Sequence, residues 1–450
     1  MKRFKSTLSL VMIIMLMVGL MAGCSQPSVE VPAEETQPTS EGEAVEAEPV
    51  EEEPIEMVEL NYYSHPDEKG ERNAMILAFE EQYPNVKVNL VELPTDTSKK
   101  LTMLSTVLQA EDPSLDIFDA DVIWPPIFAS AGWVEPIDDY LTSEEIDAYL
   151  PGAILSNEYK GHYYGIPYRT DTGMLYYRKD LLEKYDKPVP TTWDELTETA
   201  KYIIEEEGGN MSGHAGSWKQ YEGLTCNLTE FIWSYGGRVL DDDGNVALNS
   251  SEAIAAVTRM TDMINKDNIT PEGVITFGSG DARAVFFAGE MVFLRDWPSG
   301  WNKSQNPENS KIVGKVGIAA LPTGGEGQTS YSTLGGWQIM VSAFSEHKEE
   351  AIAFAKFRAG EYSQILMAKE LSHIPSLKSL YSNPEVLEAM PFLESMYPAI
   401  IHAYPRPKSP YYAELSNILQ VETQLAFIKQ KTPEEAVKDA TMQIKVLLGQ

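Results

Sequence analysis

Hydrophobic and polar residues follow the periods of strands and helices along most of this chain. A short strand is predicted at residues 60–63, and residues 86–91 alternate as a strand does. Helical spacing is predicted for residues 71–83 and 99–109, and a further strand for residues 116–120. This order of strands and helices predicts an open, mainly parallel α/β sheet.

The same two periods continue beyond this first section. Strands are predicted at 173–178, 315–319 and 336–341, and helices at 225–235, 251–265 and 281–288. From Lys348 onward the chain is predicted to be mostly helical, and Thr192 and Glu195 have the spacing of a capping box. In open α/β sheets, ligands bind at the carboxyl ends of the strands. His65 and Asp121 follow predicted strands and are therefore candidate ligand contacts.

The first 24 residues have a different pattern. Lys2, Arg3 and Lys5 precede an apolar run at residues 8–20, and the small residues before Cys24 complete the outline of an export signal. A cysteine directly after Ala-Gly resembles a bacterial lipobox, which implies that residues 1–23 are a lipoprotein signal peptide and that Cys24 is lipidated. An ordinary secretory signal and an uncleaved anchor are the alternatives.

An acidic segment, residues 24–57, follows this signal. Residues 25–57 contain eleven Glu and five Pro but no Lys or Arg. Such a composition cannot bury enough apolar surface to offset the entropy of ordering, and its charges repel one another. We therefore predict a disordered tether that holds a globular body away from a membrane.

Charge and cysteine content exclude several classes of function. The formal net charge of −33 argues against nucleic-acid binding, which needs a basic surface. With Cys24 assigned to the lipobox, Cys226 is left alone, so a disulfide framework is excluded, and Cys226 lies in a predicted helix. No nucleophile elbow, P-loop or Cys/His metal cluster is present in the sequence, and we expect neither a metal nor a cofactor.

Several segments, in their order along the chain, resemble the extracellular solute-binding proteins of bacterial carbohydrate importers, the maltose-binding-protein type. These segments are 165–167, 171–182, 190–196, 286–291, 334–337 and 350–357. The resemblance is greatest to the trehalose/maltose-binding branch, through 219–224, 235–237, 297–298 and 405–407. It implies a periplasmic-binding-protein-like α/β fold with two lobes, three hinge crossovers and a ligand cleft between the lobes.

The resemblance also implies where the lobes begin and end. We expect lobe 1 to contain residues 58–168 and about 312–366, and lobe 2 to contain about 169–311 and 367–450. The lobes are expected to close around the ligand by a hinge motion.

A sugar offers flat C–H patches and a rim of hydroxyls, so its site needs aromatic faces together with charged hydrogen-bond partners. By resemblance, Asp171 is the sugar-binding carboxylate, and Trp297 and Trp337 are stacking tryptophans. The complete set of predicted ligand-binding residues is Asp121, Asp171, Trp297, Gly336, Trp337, Arg406, Arg169, Tyr221, Glu68 and His65.

Structural alternatives stay open for most of these residues. Asp121 could cap a helix, Asp171 could form a hinge turn, and Arg406 could be a surface charge. Either tryptophan could belong to the core. Arg169 stands where this branch tends to have Tyr, so it could bind a sugar hydroxyl or a charged group.

The sequence therefore predicts a monomeric, lipid-anchored, non-enzymatic binding protein of an ABC-type sugar importer, exported to the bacterial cell envelope. Its ligand is expected to be a maltose- or trehalose-like disaccharide or a short oligosaccharide, and its partners the permease subunits. A binding protein for another solute, such as a polyol or a different oligosaccharide, is the main alternative. A secreted glycosidase, which would need two suitably spaced carboxylates, and a structural or adhesion lipoprotein are the others.

Overall fold

A computed structural model describes residues 57–450. The predicted signal peptide, the lipidation site Cys24 and all of the predicted tether except Met57 lie outside the described residues. Within residues 57–450, none of the helices combines the length and the apolar character that a membrane crossing requires.

Strands and helices alternate through the first half of the described chain, and helices dominate the end. The strands are β1 (Val58–Ser64), β2 (Val86–Glu92), β3 (Ile117–Asp121), β4 (Glu158–Tyr159), β5 (His162–Tyr163), β6 (Ile166–Thr172), β7 (Met174–Arg178), β8 (Ser212–Ala215), β9 (Met291–Asp296), β10 (Val316–Ala319) and β11 (Leu334–Val341). The first α-helices are α1 (Glu71–Gln82), α2 (Thr97–Gln109), α3 (Pro125–Ala131), α4 (Ser143–Ala148), α5 (Pro151–Leu155), α6 (Lys179–Lys184), α7 (Trp193–Glu206), α8 (Glu222–Ser234) and α9 (Ser251–Asn265). The others are α10 (Ser279–Phe287), α11 (Gly300–Gln305), α12 (Lys348–Ala359), α13 (Glu361–Leu371), α14 (Pro384–Ala389), α15 (Leu393–Ile401), α16 (Tyr412–Phe427) and α17 (Pro433–Leu448).

The first lobe is built on a five-stranded sheet with the order β2-β1-β3-β11-β6. The predicted parallel arrangement is found for β2, β1 and β3, whereas β11 runs antiparallel to both β3 and β6. The chain leaves this sheet at the end of β6 and returns to it through β11. The carboxyl end of β6 and the amino end of β11 lie at the same edge of the sheet, so β11 runs antiparallel to β6.

The second lobe is built on a four-stranded sheet with the order β10-β7-β9-β8. β7 pairs antiparallel with β10 and β9, and β8 pairs parallel with β9. The mainly parallel sheet was predicted from residues 60–120, and it does not extend to this second sheet, in which most pairs are antiparallel. The molecule confirms the predicted fold of two α/β lobes with a cleft between them.

The pairing of strands shifts the expected lobe boundaries. Only Gly173 separates β6 of the first sheet from β7 of the second, so the first crossing lies a few residues beyond Tyr168. β10 pairs with β7, which puts Val316–Ala319 in the second lobe although the sequence placed it in the first. We propose that the second boundary lies between β10 and β11.

The third boundary also moves along the chain. A division at residue 366/367 would cut α13, a continuous helix that packs against α1 and α12 of the first lobe. Ile374 then forms a bridge with Thr170 in β6. Since α16 packs against α8 and α9 of the second lobe, we propose that the third boundary lies between α14 and α16.

Local sequence explains where several helices begin. Thr192 accepts a hydrogen bond from the Glu195 amide, and the Glu195 carboxylate accepts one from the Thr192 amide, which confirms the predicted capping box of α7. In α2, Leu104 and Leu108 form a buried stripe at helical spacing, and Lys100 extends that stripe one turn earlier. Lys100 is therefore carried inward by the same face that anchors the helix.

Candidate functional site

A cavity of about 530 Å³ lies where the two lobes meet, a volume that suits a small ligand. On the first lobe it is bounded by the carboxyl ends of β1, β3 and β6 and by the amino end of β11, which all lie at one edge of the sheet. The second lobe contributes the amino ends of α8 and α10 and the loop after β9. This edge is where the alternation of strands and helices predicts a ligand site.

The structure brings all the residues predicted for ligand binding to this one cavity. They are His65, Glu68, Asp121, Arg169, Asp171, Tyr221, Trp297, Gly336, Trp337 and Arg406. Their part in ligand binding stays a prediction, and the individual side chains are engaged in different ways.

The two tryptophans are enclosed to different degrees. Trp337 is only 7% exposed, with His65 edge-on at 4.1 Å between ring centres and Trp124 at 5.6 Å. Trp297 is less buried, and the Arg295 guanidinium lies 4.0 Å from its ring centre. Trp297 therefore offers the cavity more aromatic surface, while Trp124 is a buried packing residue.

Gly335 and Gly336 allow neighbouring segments of the protein to pack closely against β11. A Cβ atom at Gly335 would lie 2.8 Å from the Trp297 ring, and one at Gly336 would lie 2.8 Å from the Arg169 carbonyl oxygen. Gly336 also has φ of 138°, a conformation that other residues rarely adopt. These two glycines are thus needed for close packing within the protein, because the atoms nearest to the missing side chains belong to the protein itself.

Asp171 has spare hydrogen-bonding capacity. Its Oδ2 lies 3.3 Å from Arg169 Nε, and among the described residues its buried Oδ1 has no hydrogen-bond partner. Burial raises the pKa of Asp171 to about 6, although Arg169 opposes that rise. Asp171 is suited to accept a hydrogen bond from a ligand.

Arg406 connects the two lobes through buried ion pairs. Its Nη2 donates to Asp121 Oδ1 at 2.9 Å, and its Nη1 donates to Glu222 Oε1 at 2.5 Å. Glu222 also accepts hydrogen bonds from the hydroxyls of Tyr412 and Ser416, at 2.6 and 2.7 Å. Arg406 is thus a buried bridging residue rather than a surface charge, and its Nε has no hydrogen-bond partner among the described residues.

Two further predicted residues also have protein partners. Glu68 lies at the exposed rim, where its carboxylate accepts a hydrogen bond from Lys303 of the second lobe at 3.0 Å. The Tyr221 hydroxyl accepts one from the Ser279 amide, at 3.2 Å. Asn302 spans the same rim and donates to the Lys369 and Glu370 carbonyls. The contacts of Glu68 and Asn302 join the two lobes at the rim of the cavity, whereas the Tyr221–Ser279 contact lies within the second lobe.

Many of the residues that line the cavity were not among those predicted. Lys100 and His373 contact His65 and Arg169, respectively. Arg283 donates to both oxygens of Asp296, at 2.5 and 2.9 Å, and to Ser299 Oγ at 2.9 Å. Glu222, the partner of Arg406, also lines the cavity. A lysine on the apolar stripe of α2 is the one sequence signal that singles out any of them.

Cys226 also borders the cavity, within helix α8 as predicted. Burial raises the pKa of its thiol to about 12, so it stays protonated and poorly nucleophilic. Among residues 57–450, His, Cys, Asp and Glu side chains do not gather in a group of three or more that could hold a metal ion.

Two lobes that enclose a polar cavity with aromatic residues on its walls define a ligand-capturing protein of the periplasmic-binding type. Comparison with known proteins makes this more specific. The model of the bacterial extracellular solute-binding protein family matches residues 65–364. A probable ABC transporter-binding protein of Deinococcus radiodurans is 32% identical over 80% of this chain and 87% of its own length. The chain therefore belongs to the bacterial extracellular solute-binding protein family.

Solved structures agree with this assignment. The maltose-bound MalE3 of T. maritima is 37% identical, with a TM-score of 0.82, and the match covers 87% of this chain and all of that one. A solute-binding protein of Thermotoga lettingae bound to α-D-tagatose is 27% identical, with a TM-score of 0.77 and the same coverage. The chain is thus a solute-binding protein of the sugar ABC transporter type, and its family is extracellular.

Proposed function

We propose that this protein captures a disaccharide or short oligosaccharide of maltose or trehalose size and delivers it to the permease of an ABC importer. The observation that carries this proposal is that Trp297, Trp337 and Asp171 line one cavity, and that Asp171 Oδ1 has no hydrogen-bond partner within residues 57–450. The similarity to a maltose-bound structure supports the same ligand class.

The chemistry of these side chains matches a sugar. An indole face packs against the C–H patches of a pyranose ring and buries apolar surface without demanding hydrogen bonds. The Asp171 carboxylate accepts a hydroxyl proton, and a hydrogen bond to an ionised group contributes about 1.5–3 kcal/mol. Closure of the lobes then excludes water from these contacts, and the Lys303–Glu68 pair at the rim supports the closed form.

We also propose that the sugar leaves unaltered. Glycoside hydrolysis requires two carboxyl groups with separate roles as acid and as base or nucleophile. Asp121 and Glu222 share Arg406 as their counter-ion, and Glu222 accepts two further hydrogen bonds. This arrangement favours structural roles for both and leaves Asp171 as the carboxylate suited to the ligand.

Binding and turnover can be tested together. Purified protein is mixed with maltose, trehalose, sucrose and longer maltodextrins while the melting temperature and released glucose are followed. A ligand at one hundred times its Kd should stabilise the folded protein by about 2.7 kcal/mol. The proposal fails if no saccharide raises the melting temperature, and the enzyme alternative gains support if glucose accumulates.

The N-terminal segment supports a further part of the proposal, which concerns attachment. We propose that Cys24 carries a lipid that anchors a monomer to the cell envelope through the acidic tether. Cys24→Ser should then move the protein from the membrane fraction to the soluble exported fraction. Equal membrane retention of both forms would contradict lipid anchoring.

A further inference from the structure

One wall of the cavity collects nitrogen-bearing side chains from four separate elements of the first lobe. We name this cluster the basic corner, and it consists of His65, Lys100, Arg169 and His373. His65 follows β1, Lys100 belongs to α2, Arg169 to β6, and His373 follows α13. All four side chains line the cavity.

The basic corner surrounds one face of the predicted sugar site. Lys100 Nζ lies 4.5 Å from the centre of the Trp337 ring, and Arg169 Cζ lies 5.8 Å from it. Lys100 Nζ contacts His65 Nδ1, and Arg169 Nη1 contacts His373 Nε2. A ligand group beside the Trp337 indole would therefore meet both cations.

Positive charge in the basic corner is not balanced as it is elsewhere in the cavity. Arg406, Arg283 and Lys303 each have a carboxylate within hydrogen-bonding distance. By contrast, none of the carboxylates among residues 57–450 lies within 4 Å of Lys100 Nζ, and this lysine is 2% exposed. Among the described residues, Arg169 has one carboxylate within 4 Å, that of Asp171, at 3.3 Å from its Nε.

Asp119 lies close to the basic corner, but its carboxylate already accepts hydrogen bonds from other residues. Its carboxylate accepts hydrogen bonds from the hydroxyls of Tyr62 and Ser64, at 2.6 and 2.5 Å. It is 3.8 Å from His65 Nε2. Burial lowers the pKa of Lys100 to about 7, an effect that Asp119 opposes and that Arg169 and Arg72 strengthen. A buried ammonium without a counter-ion is costly, and a negative group in the cavity would relieve that cost.

The hydrogen-bonding groups of the basic corner also favour a negatively charged ligand group. Ammonium and guanidinium groups only donate, and Arg169 Nε, His65 Nε2 and His373 Nδ1 have no hydrogen-bond partner among the described residues. A sugar hydroxyl brings a proton that needs an acceptor of its own. A carboxylate or phosphate brings acceptors alone, and hydrogen bonds between charged groups are the stronger kind.

We propose that the basic corner is a subsite for an anionic substituent, a carboxylate or a phosphate, on the captured saccharide. This inference rests on the proposed function as a sugar-binding protein. Lys100 is the residue that determines the preference, and Arg169 supplies the second cation. The neutral part of the sugar still packs against the tryptophans.

Matched ligand pairs test the inference on the unmodified protein. Calorimetric titration would compare trehalose with trehalose 6-phosphate, and maltose with its analogue in which one terminal CH2OH is oxidised to a carboxylate. At least one acidic member should bind ten times more tightly or better, with an advantage that shrinks as salt rises. The two pairs distinguish a phosphate from a carboxylate subsite.

Two variants assign the effect to the corner. Lys100→Met should abolish the preference for the acidic member, whereas Lys184→Met removes an exposed lysine that is paired with Glu207 and should leave it intact. Circular dichroism would verify folding, and Lys100→Gln would serve if the Met variant misfolds. Neutral ligands that bind as tightly as acidic ones would overturn the inference while leaving sugar capture intact. Absence of binding by every member of both pairs would overturn sugar capture as well.

Discussion

Replacement of Arg406 tests how much its buried ion pairs contribute to the stability of this protein. Its side chain is 2% exposed, and it is the shared counter-ion of Asp121 and Glu222, which are 10% and 11% exposed. Replacement by Met keeps much of the apolar volume but leaves two buried carboxylates without a cation. Removing one partner of a buried ion pair typically costs about 3–5 kcal/mol. We expect Arg406→Met to lower the free energy of unfolding by this amount at pH 8.

The loss of unfolding free energy in Arg406→Met should depend on pH in a defined direction. Burial raises the pKa of Glu222, and Arg406 counteracts this rise. Without Arg406 the folded-state pKa of Glu222 rises further above its unfolded value, so the folded protein binds this proton more strongly than the unfolded chain does. Stability contributed by such a group falls as the pH rises through that interval. The deficit of Arg406→Met should therefore be smaller at pH 5 than at pH 8.

Urea unfolding followed by tryptophan fluorescence would measure the deficit at both pH values. The double variant Arg406→Met/Glu222→Gln should recover part of the loss, because it removes one of the two unpaired charges. Lys184→Met, which breaks an exposed pair, should cost less than about 1 kcal/mol. A deficit below 1 kcal/mol for Arg406→Met, or one that grows at low pH, would refute the reasoning.

Further predictions concern the cavity itself. Trp337→Ala should weaken sugar binding at least tenfold, about 1.4 kcal/mol, in a calorimetric titration, and unchanged affinity would remove Trp337 from the site. Asp171→Asn should also weaken binding; because the pKa of Asp171 is about 6, wild-type affinity should fall below pH 6 while that of the Asn variant stays level. Equal pH profiles for the two proteins would favour the hinge-turn role of Asp171. Gly336→Ala should lower stability by about 1–3 kcal/mol, since its φ is 138° and its new methyl would meet the Arg169 carbonyl. Gly325→Ala, where the added atom meets nothing within 4 Å, is the matched control, and equal melting temperatures for the two variants would contradict the strain argument.

Much of the first lobe could be predicted from periodicity because its signals are local. The helix predicted at 71–83 is found at 71–82, and the strand predicted at 86–91 is found at 86–92. A capping box needs only residues three apart, so the start of α7 was also correct. Strand β9, which is buried at every position, was missed, although the equally buried strands β3 and β11 were predicted.

Strand direction and lobe boundaries could not be predicted in the same way. β10 lies a short distance before β11 in the chain, yet the two strands belong to different sheets. Nothing in the local pattern of Val316–Ala319 says that its partner is β7, because pairing depends on surfaces that meet only after folding. The crossing was therefore placed too early in the chain.

The sequence by itself determined the types of side chain available and the edge of the sheet at which they meet. Positions after predicted strands, together with the family resemblance, were enough to name ten residues that line one cavity. Tertiary structure alone decided which charged partners these side chains contact. Arg406 is neutralised by carboxylates more than 180 positions away, Glu68 by a lysine of the opposite lobe, and Lys100 by none within reach among the described residues. Charge balance in a cavity depends on distances across the folded chain, and those distances are set by packing rather than by order along the sequence.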